Sequence, residues 1–335
     1  MIEEKIEIMI PTYNRASYLN KTLNSLLNSP FKDCKITVRD NASPDDTPLI
    51  CEKYANKFKN MVIIRNNKNI GGDGNIIRCY EEATKDYVWV LADNDLLNFD
   101  DCDDFIEAIE SDKYGLIFCC SADYSFKDTY APTFDTKGLS EYLKENSEKS
   151  NYLENTVEEL FLILDEYSFS LTSFIPSTIY KTELIDSKAL IKGYEYISRK
   201  YGHFALIVKA LEENVLTYKT KKDIVLVQRN PDDWDVGALE FYAKRLDATL
   251  LIKDKKIRKI AAKNPKGNLI YHTLAYIAIG KVKNQKDLRK QLTELIIVIY
   301  KLKGIIKGTF YAILFHLFLL VPRKICLIAY NKRFG

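Results

Sequence analysis

Apolar and polar positions follow two alternating periods over the first 120 residues. Short strand-like runs occur at Lys5–Ile10, Lys35–Arg39, Met61–Arg65, from Tyr87 onward, and at Tyr114–Cys120. The continuous apolar run from Tyr87 reads as a strand buried on both faces. Between them the spacing becomes helical. Leu19, Leu23, Leu26 and Leu27 share one face, as do Ile50, Tyr54 and Phe58. Thr47 is placed to cap the second of these helices, with Pro48 at its first turn. A further helix reaches Thr84, and another is expected at Asp101–Glu110. Strands alternating with helices specify an α/β fold with a mostly parallel, doubly wound sheet.

After Cys120 the period loosens. Ser121–Ser150 is polar and reads as a loop over a site. A helix at 155–165, the apolar stretch Phe169–Tyr180, a helix at His203–Glu213 and a strand at Asp223–Gln228 restore the core pattern. Beyond Asp235 the chain reads as helical. The expected organisation is a catalytic domain over 1–230, with halves of about 1–120 and 121–230, followed by a helical region over 231–335.

Charge sharpens that division. The net charge is +3, yet residues 251–335 hold 19 Lys/Arg against 3 Asp/Glu, a net of +16, which leaves the first 250 residues at −13. The basic third points to an anionic partner surface, either nucleic acid or a phospholipid leaflet. The seven cysteines are scattered without a CxxC pair. That argues for reduced, mostly buried thiols and against a disulfide framework or zinc site. A strand-like run begins almost at once, so no signal peptide is visible.

Candidate chemistry centres on the end of the fourth apolar run, Tyr-Val-Trp-Val-Leu-Ala followed by Asp93-Asn94-Asp95. Open α/β sheets place ligands at the carboxyl ends of their strands. Two carboxylates one residue apart repel unless a cation joins them. They can converge on one hard divalent ion, with Mg²⁺ or Mn²⁺ sharing oxygens with substrate phosphates, or on sugar hydroxyls. The alternative is a solvated acidic turn.

The loops after the strands form an ordered set. Pro11-Thr12-Tyr13-Asn14-Arg15, Asp40-Asn41-Ala42-Ser43-Pro44-Asp45-Asp46-Thr47, Asn69-Ile70-Gly71-Gly72 with Asn75, and Asp93-Asn94-Asp95 follow in turn. In that order and spacing the first 100 residues resemble the family-2 glycosyltransferases of the GT-A fold. Asn41 and Ala42 stand where the family more commonly has Asp and Gly. The resemblance implies a nucleotide-sugar donor, usually a uridine diphosphate sugar, bound across the strand ends. Pro11, Thr12 and Tyr13 would line the nucleoside, and Asp40 would meet the uracil edge. Asp93 would face ribose or metal beside Asn94, and Asp95 would be the main metal ligand. For Asn69, Gly71 and Asn75, ligand contact and ordinary turn chemistry both stand. Arg15 is either a phosphate ligand or a surface cation.

Many members of that family carry Glu-Asp at a helix start, and that Asp deprotonates the acceptor hydroxyl. Gly202-His203-Phe204 fits the same frame here, with His203 in the Asp place. Imidazole suits general-base work near neutral pH, and the alternative is a histidine that merely packs. Glu195, Asp165 and Glu166 are the next candidates for the base. His272 is a weaker candidate for a metal shell.

Near the C-terminus the apolar run Thr309–Val321 is thirteen residues long, short of the ~20 that span a bilayer. Lys301, Lys303, Lys307, Arg323, Lys324, Lys332 and Arg333 flank it. The pattern is that of an interfacial amphipathic anchor, with a buried helical hairpin or a homo-oligomer interface as the alternative. The apolar runs lack the interleaved aromatic and basic residues of a nucleic-acid groove.

The reading that results is a metal-dependent glycosyltransferase on the inner face of the cell membrane, and the family resemblance implies that it inverts. It would act on a glycan or lipid-linked glycan acceptor in bacterial surface polysaccharide synthesis. A sugar-1-phosphate nucleotidyltransferase would need a Gly-rich basic loop after the first strand, and Pro11–Arg15 lacks one. A membrane adaptor with a degenerate transferase fold is the third reading.

Overall fold

The structure, a computed structural model, describes residues 1–100, 102–123, 153–227, 238–264 and 267–334. Ser121–Ser150 therefore lies mostly outside the described residues. The chain divides into two compact units. Among the described residues, one holds 1–123 and 153–227 except Asp165–Tyr167, and the other holds Asp165–Tyr167 with 238–334.

The first unit is built on a nine-stranded sheet. Strands β1 (Ile6–Thr12), β2 (Lys35–Asp40), β3 (Met61–Arg65) and β4 (Tyr87–Val90) are joined by crossover helices and pair in parallel, in the order β3-β2-β1-β4. β1 and β4 are central and almost wholly buried, which is why β4 runs apolar without alternation and β1 is apolar but for Glu7 and its last residue, Thr12. β3 lies at the edge and leaves Val62 and Ile63 exposed. The helix Ala16–Leu27 buries Leu19, Thr22, Leu23 and Leu26, so its inner face is not purely apolar. Trp89 anchors the core edge-on to Phe31 and Phe105, and its Nε1 donates to the Pro176 carbonyl at 2.8 Å.

Beyond β4 the sheet becomes mixed. β5 (Leu96–Leu97), β6 (Leu116–Asp123), β7 (Glu154–Thr156), β8 (Thr178–Lys181) and β9 (Leu216–Val227) complete it. β8 runs antiparallel between β4 and β6, and β9 lies parallel to β6. β9 starts seven residues before the expected Asp223. Its Lys-rich first half reads as polar loop, but Tyr218 packs into the core and its hydroxyl donates to Asp104 at 2.8 Å. The helix after β2 also differs by one place. It spans Thr47–Ala55, and Thr47 sits inside it with its hydroxyl turned to Asp45.

The second unit is helical: Ala238–Thr249, Lys255–Ala261, Leu269–Val282, Leu288–Leu319 and Arg323–Phe334. Tyr242, Leu246, Tyr276, Leu292, Leu295 and Phe315 form its core. Asp254 and Asn268 cap two of the helices through Ile257 and Tyr271 amides. Gly304, at φ 78°, breaks the long helix into two segments. Only a residue without Cβ takes that conformation at little cost. Lys281 donates to the Leu319 and Val321 carbonyls, closing the end of the second segment. His272 is buried among the rings of Tyr242, Tyr271 and Tyr276 in this unit.

Candidate active site

The register of the parallel strands brings the chemistry-bearing loops to one edge. Thr12 pairs with Asp40, and Met9 pairs with Val90, so β1, β2 and β4 all end at that edge. Thr12 Oγ1 donates to Asp93 Oδ2 at 2.7 Å, and Arg15 Nη1 stands 3.6 Å from Asp93 Oδ1. Asp93 and Asp95 are both buried. Arg15 offsets part of their charge and also lies over the Tyr18 ring. Tyr13 presents an exposed ring beside this edge, as a flat base requires.

The acidic turn is held from below by a residue that motif reading misses. Thr22 Oγ1 lies 2.9 Å from both the Asp93 and the Asp95 carbonyl oxygens. One turn on, Ser25 Oγ exchanges bonds with the Leu97 backbone at 3.2 and 3.3 Å. Helix Ala16–Leu27 therefore fixes the backbone on which both carboxylates sit. The available signal was two hydroxyl residues one turn apart, flanked by Leu23 and Leu26.

The loop after β2 is folded on its own carboxylates. Asp40 accepts from the Ser43 amide at 2.9 Å and pairs with Arg65, whose other nitrogen donates to the Ser43 carbonyl. Asp45 accepts from the Ala16 amide and from Thr47. Burial pushes its pKa up, but these hydrogen bonds outweigh it and hold the carboxyl below the usual range. Ala42 takes a left-handed φ of 63°, which explains why glycine is the commoner residue there.

Asn41 suits this chain's own surroundings. Its Nδ2 donates to Asn69 Oδ1 and the Gly71 carbonyl, while its Oδ1 accepts from Asn66 and the Ile70 amide. An aspartate could not make the first two bonds. Asn75 is buried, accepts from Asn66 and donates to the Arg39 carbonyl. Asn69 also accepts from the Gly71 amide. Asn69, Gly71 and Asn75 thus brace the loop, with their polar atoms engaged inside the protein.

His203 is tied to the segment that leads into β8. β8 runs antiparallel to β4, with Ile179 opposite Trp89. The segment just before β8 therefore lies toward the carboxyl end of β4. His203 Nε2 donates to the Ser173 carbonyl at 2.8 Å, which fixes the tautomer and leaves Nδ1 as the acceptor. Burial pushes its pKa down to about 4, against the raising effect of that hydrogen bond. Of the other candidate bases, Glu195 pairs with Lys192 on the surface, and both Asp165 oxygens take Lys263 in the second unit.

Among the described residues no three His, Cys, Asp or Glu side chains gather into a metal cage. The donor set fits a hard cation that draws its remaining ligands from a diphosphate and water, as Mg²⁺ and Mn²⁺ do.

Residues 7–165 match the family described as glycosyl transferase family 2. The chain is similar to the abequosyltransferase RfbV of Salmonella typhimurium, at 25% identity over 84% of this chain and 87% of the relative. It also resembles a GalNAc(5)-diNAcBac-PP-undecaprenol β-1,3-glucosyltransferase of Campylobacter jejuni, at 32% identity over 28% of this chain and 30% of that protein. Among solved structures, Staphylococcus aureus TarS 1–349 in complex with UDP-GlcNAc superposes with a TM-score of 0.54 at 17% identity, covering 90% of this chain and 92% of that one. The Pyrobaculum calidifontis mannosyltransferase PcManGT, solved with GDP-Man and Mn²⁺, gives 0.51 at 13% identity, covering 98% and 87%.

Proposed function

We propose a specific reaction for this chain, a glycosyltransferase whose residues 7–165 match glycosyl transferase family 2. A sugar moves with inversion from a nucleotide-sugar donor, of the uridine diphosphate class, to a hydroxyl of a lipid-linked or lipid-anchored glycan. The observation that carries the reading is the clamped acidic turn, in which Thr12, Arg15 and Thr22 hold Asp93 and Asp95 at the strand ends.

Tyr13, Pro11 and Thr12 line the nucleoside, and Asp40, steadied by Arg65, faces the base edge. Asn69, Gly71 and Asn75 shape the loop beside the donor, and Asp93, beside Asn94, faces the ribose or the metal. A divalent cation held by Asp95, with Asp93, would neutralise the diphosphate as it leaves. Arg15 is placed to exchange Asp93 for a phosphate oxygen, which suits its planar fork. His203 Nδ1 takes the proton of the acceptor hydroxyl. The acceptor oxygen bonds to the anomeric carbon as the carbon–oxygen bond to the diphosphate breaks, and the electron pair leaves with the diphosphate. A pKa of about 4 gives His203 the basicity of the ordinary carboxylate that its family frame carries.

The Campylobacter relative acts on an undecaprenyl-diphosphate-linked glycan by its name, and the basic C-terminal unit suits a peripheral place on the inner leaflet. The domain organisation proposed is a catalytic part to about residue 230, with donor and acceptor halves, and a basic helical part after it. The test is transfer of labelled sugar into organic-extractable lipid from a bacterial membrane extract, with the anomeric configuration of the product read by NMR. A β product from an α donor supports inversion, and an α product excludes it.

A further inference from the structure

The helical unit contains a cavity of about 690 Å³, a size suited to a small ligand. Its lining includes six cations: Lys255, Arg258, Lys259, Lys263, Lys301 and Lys303. Two acids, Asp165 and Glu166, also line it, and Asp165 is taken up by Lys263. Arg258 donates to the Ile252 and Lys253 carbonyls, and Lys301 stands 4.0 Å from Asp247. Lys255, Lys259 and Lys303 remain as exposed ammonium groups on the rim. One wall is fixed from inside. Buried Arg245 donates to Asn264 and to the Ala261 and Lys263 carbonyls, and Asn264 donates to Tyr242 at 2.6 Å. A preformed basic hollow of this kind fits a phosphate or diphosphate group.

The chain leaves the cavity at Lys303 and changes character at once. After the break at Gly304, Ile306, Phe310, Ile313, Leu317 and Leu320 recur at helical spacing and stay exposed, Ile306 at 88% and Leu320 at 74%. Ile325, Leu327 and Ile328 extend the apolar surface on the next helix, beside exposed Arg323 and Lys324. Leu288–Leu319 is long and apolar enough to cross a bilayer by length and composition. Its first segment, however, buries Leu292, Leu295, Ile296 and Ile299 in the protein core. The segment after Gly304 is about 22 Å long, short of the ~30 Å hydrocarbon core. That geometry lays an apolar stripe on a leaflet instead of through it.

We infer that the cavity is a headgroup site for an anionic membrane lipid, whose phosphate enters the basic hollow while the stripe beyond Gly304 rests in the leaflet surface. The inference rests on the proposal that the acceptor is membrane-held, and it deepens that proposal by assigning the surface that meets the lipid.

The test is co-sedimentation of the full chain with phosphatidylcholine vesicles, with and without phosphatidylglycerol. Binding should require phosphatidylglycerol. It should fall about tenfold or more in the triple variant Lys255→Gln, Lys259→Gln, Lys303→Gln, and likewise in Phe310→Ser with Ile313→Ser. Lys286→Gln, Arg289→Gln, Lys290→Gln removes the same charge elsewhere in the unit and should stay within about twofold. Equal losses in the two triple variants would overturn the cavity assignment in favour of a diffuse field. Binding of soluble pyrophosphate without any vesicle binding would overturn the lipid. The assay needs no turnover, so a protein that binds vesicles but transfers no sugar would refute the proposed reaction and leave this inference standing. Circular dichroism of each variant separates loss of binding from loss of fold.

Discussion

The Thr22 hydroxyl lies 2.9 Å from the carbonyl oxygen of Asp95, and at the same distance from that of Asp93. A buried side chain on the first long helix thereby sets the backbone of a turn some seventy residues away. Thr22→Val keeps the shape and removes the donor. Leaving buried carbonyls without it costs about 1–3 kcal/mol. Turnover should fall by about tenfold as the carboxylates lose their placement, with a smaller change in KM. Thr22→Ser, which restores the hydroxyl, should recover most of the activity. A fall in thermal stability with turnover per folded molecule intact would reduce Thr22 to a packing residue.

Ala42 occupies a left-handed conformation that penalises its Cβ. Relieving this strain gains about 1–2 kcal/mol, and the greater freedom of glycine in the unfolded chain takes part of it back. Ala42→Gly should therefore raise stability by roughly 0.5–1 kcal/mol, read as a shift of the urea midpoint. An unchanged or lower midpoint would contradict the strain.

His203 gives the protein an acid sensitivity that can be read from stability. Its folded pKa is about 4, lowered by burial, against an unfolded value near 6.5. Between those values the unfolded chain binds more protons than the folded one. Stability is therefore full above about pH 6.5 and declines as the pH falls toward 4. His203→Gln should flatten the pH dependence of the urea midpoint between pH 7 and 5. An unchanged slope in the variant would mean that His203 does not carry it.

Glu7 is fully buried in β1, where it pairs with Lys35 at 2.7 Å and accepts from the Thr84 and Lys85 amides. Removing it leaves two amides without their acceptor, while Lys35 keeps its bond to Thr84 Oγ1 at 2.7 Å. Glu7→Ala should cost about 1–3 kcal/mol, measured by chemical unfolding, while Glu7→Gln should cost less. A near-neutral Glu7→Ala would show that the site refills with water.

The parallel half of the sheet was legible because β1, β2, β3 and β4 are short β-branched or apolar-rich segments separated by helical spacing, a pattern that does not depend on a distant partner. β9 was only half legible, since its Lys-rich start becomes strand by pairing with β6 and β7. The acidic turn and the loop motifs could be read as a set. Their supports could not, because Thr22, Arg65 and Ser173 meet them only through the fold. Asn41 shows the same limit: as a letter it departs from the motif that the loop resembles, and in the structure it ties together Asn66, Asn69 and Gly71.

The most direct test of the account is release of nucleoside diphosphate from a panel of nucleotide sugars. The purified chain would be assayed with Mn²⁺, with chelator, and as Asp95→Asn. The account predicts release from one donor of the uridine diphosphate class, abolished by chelator and reduced at least about a hundredfold in Asp95→Asn. Release that persists undiminished in chelator and in Asp95→Asn would contradict the role given to the acidic turn.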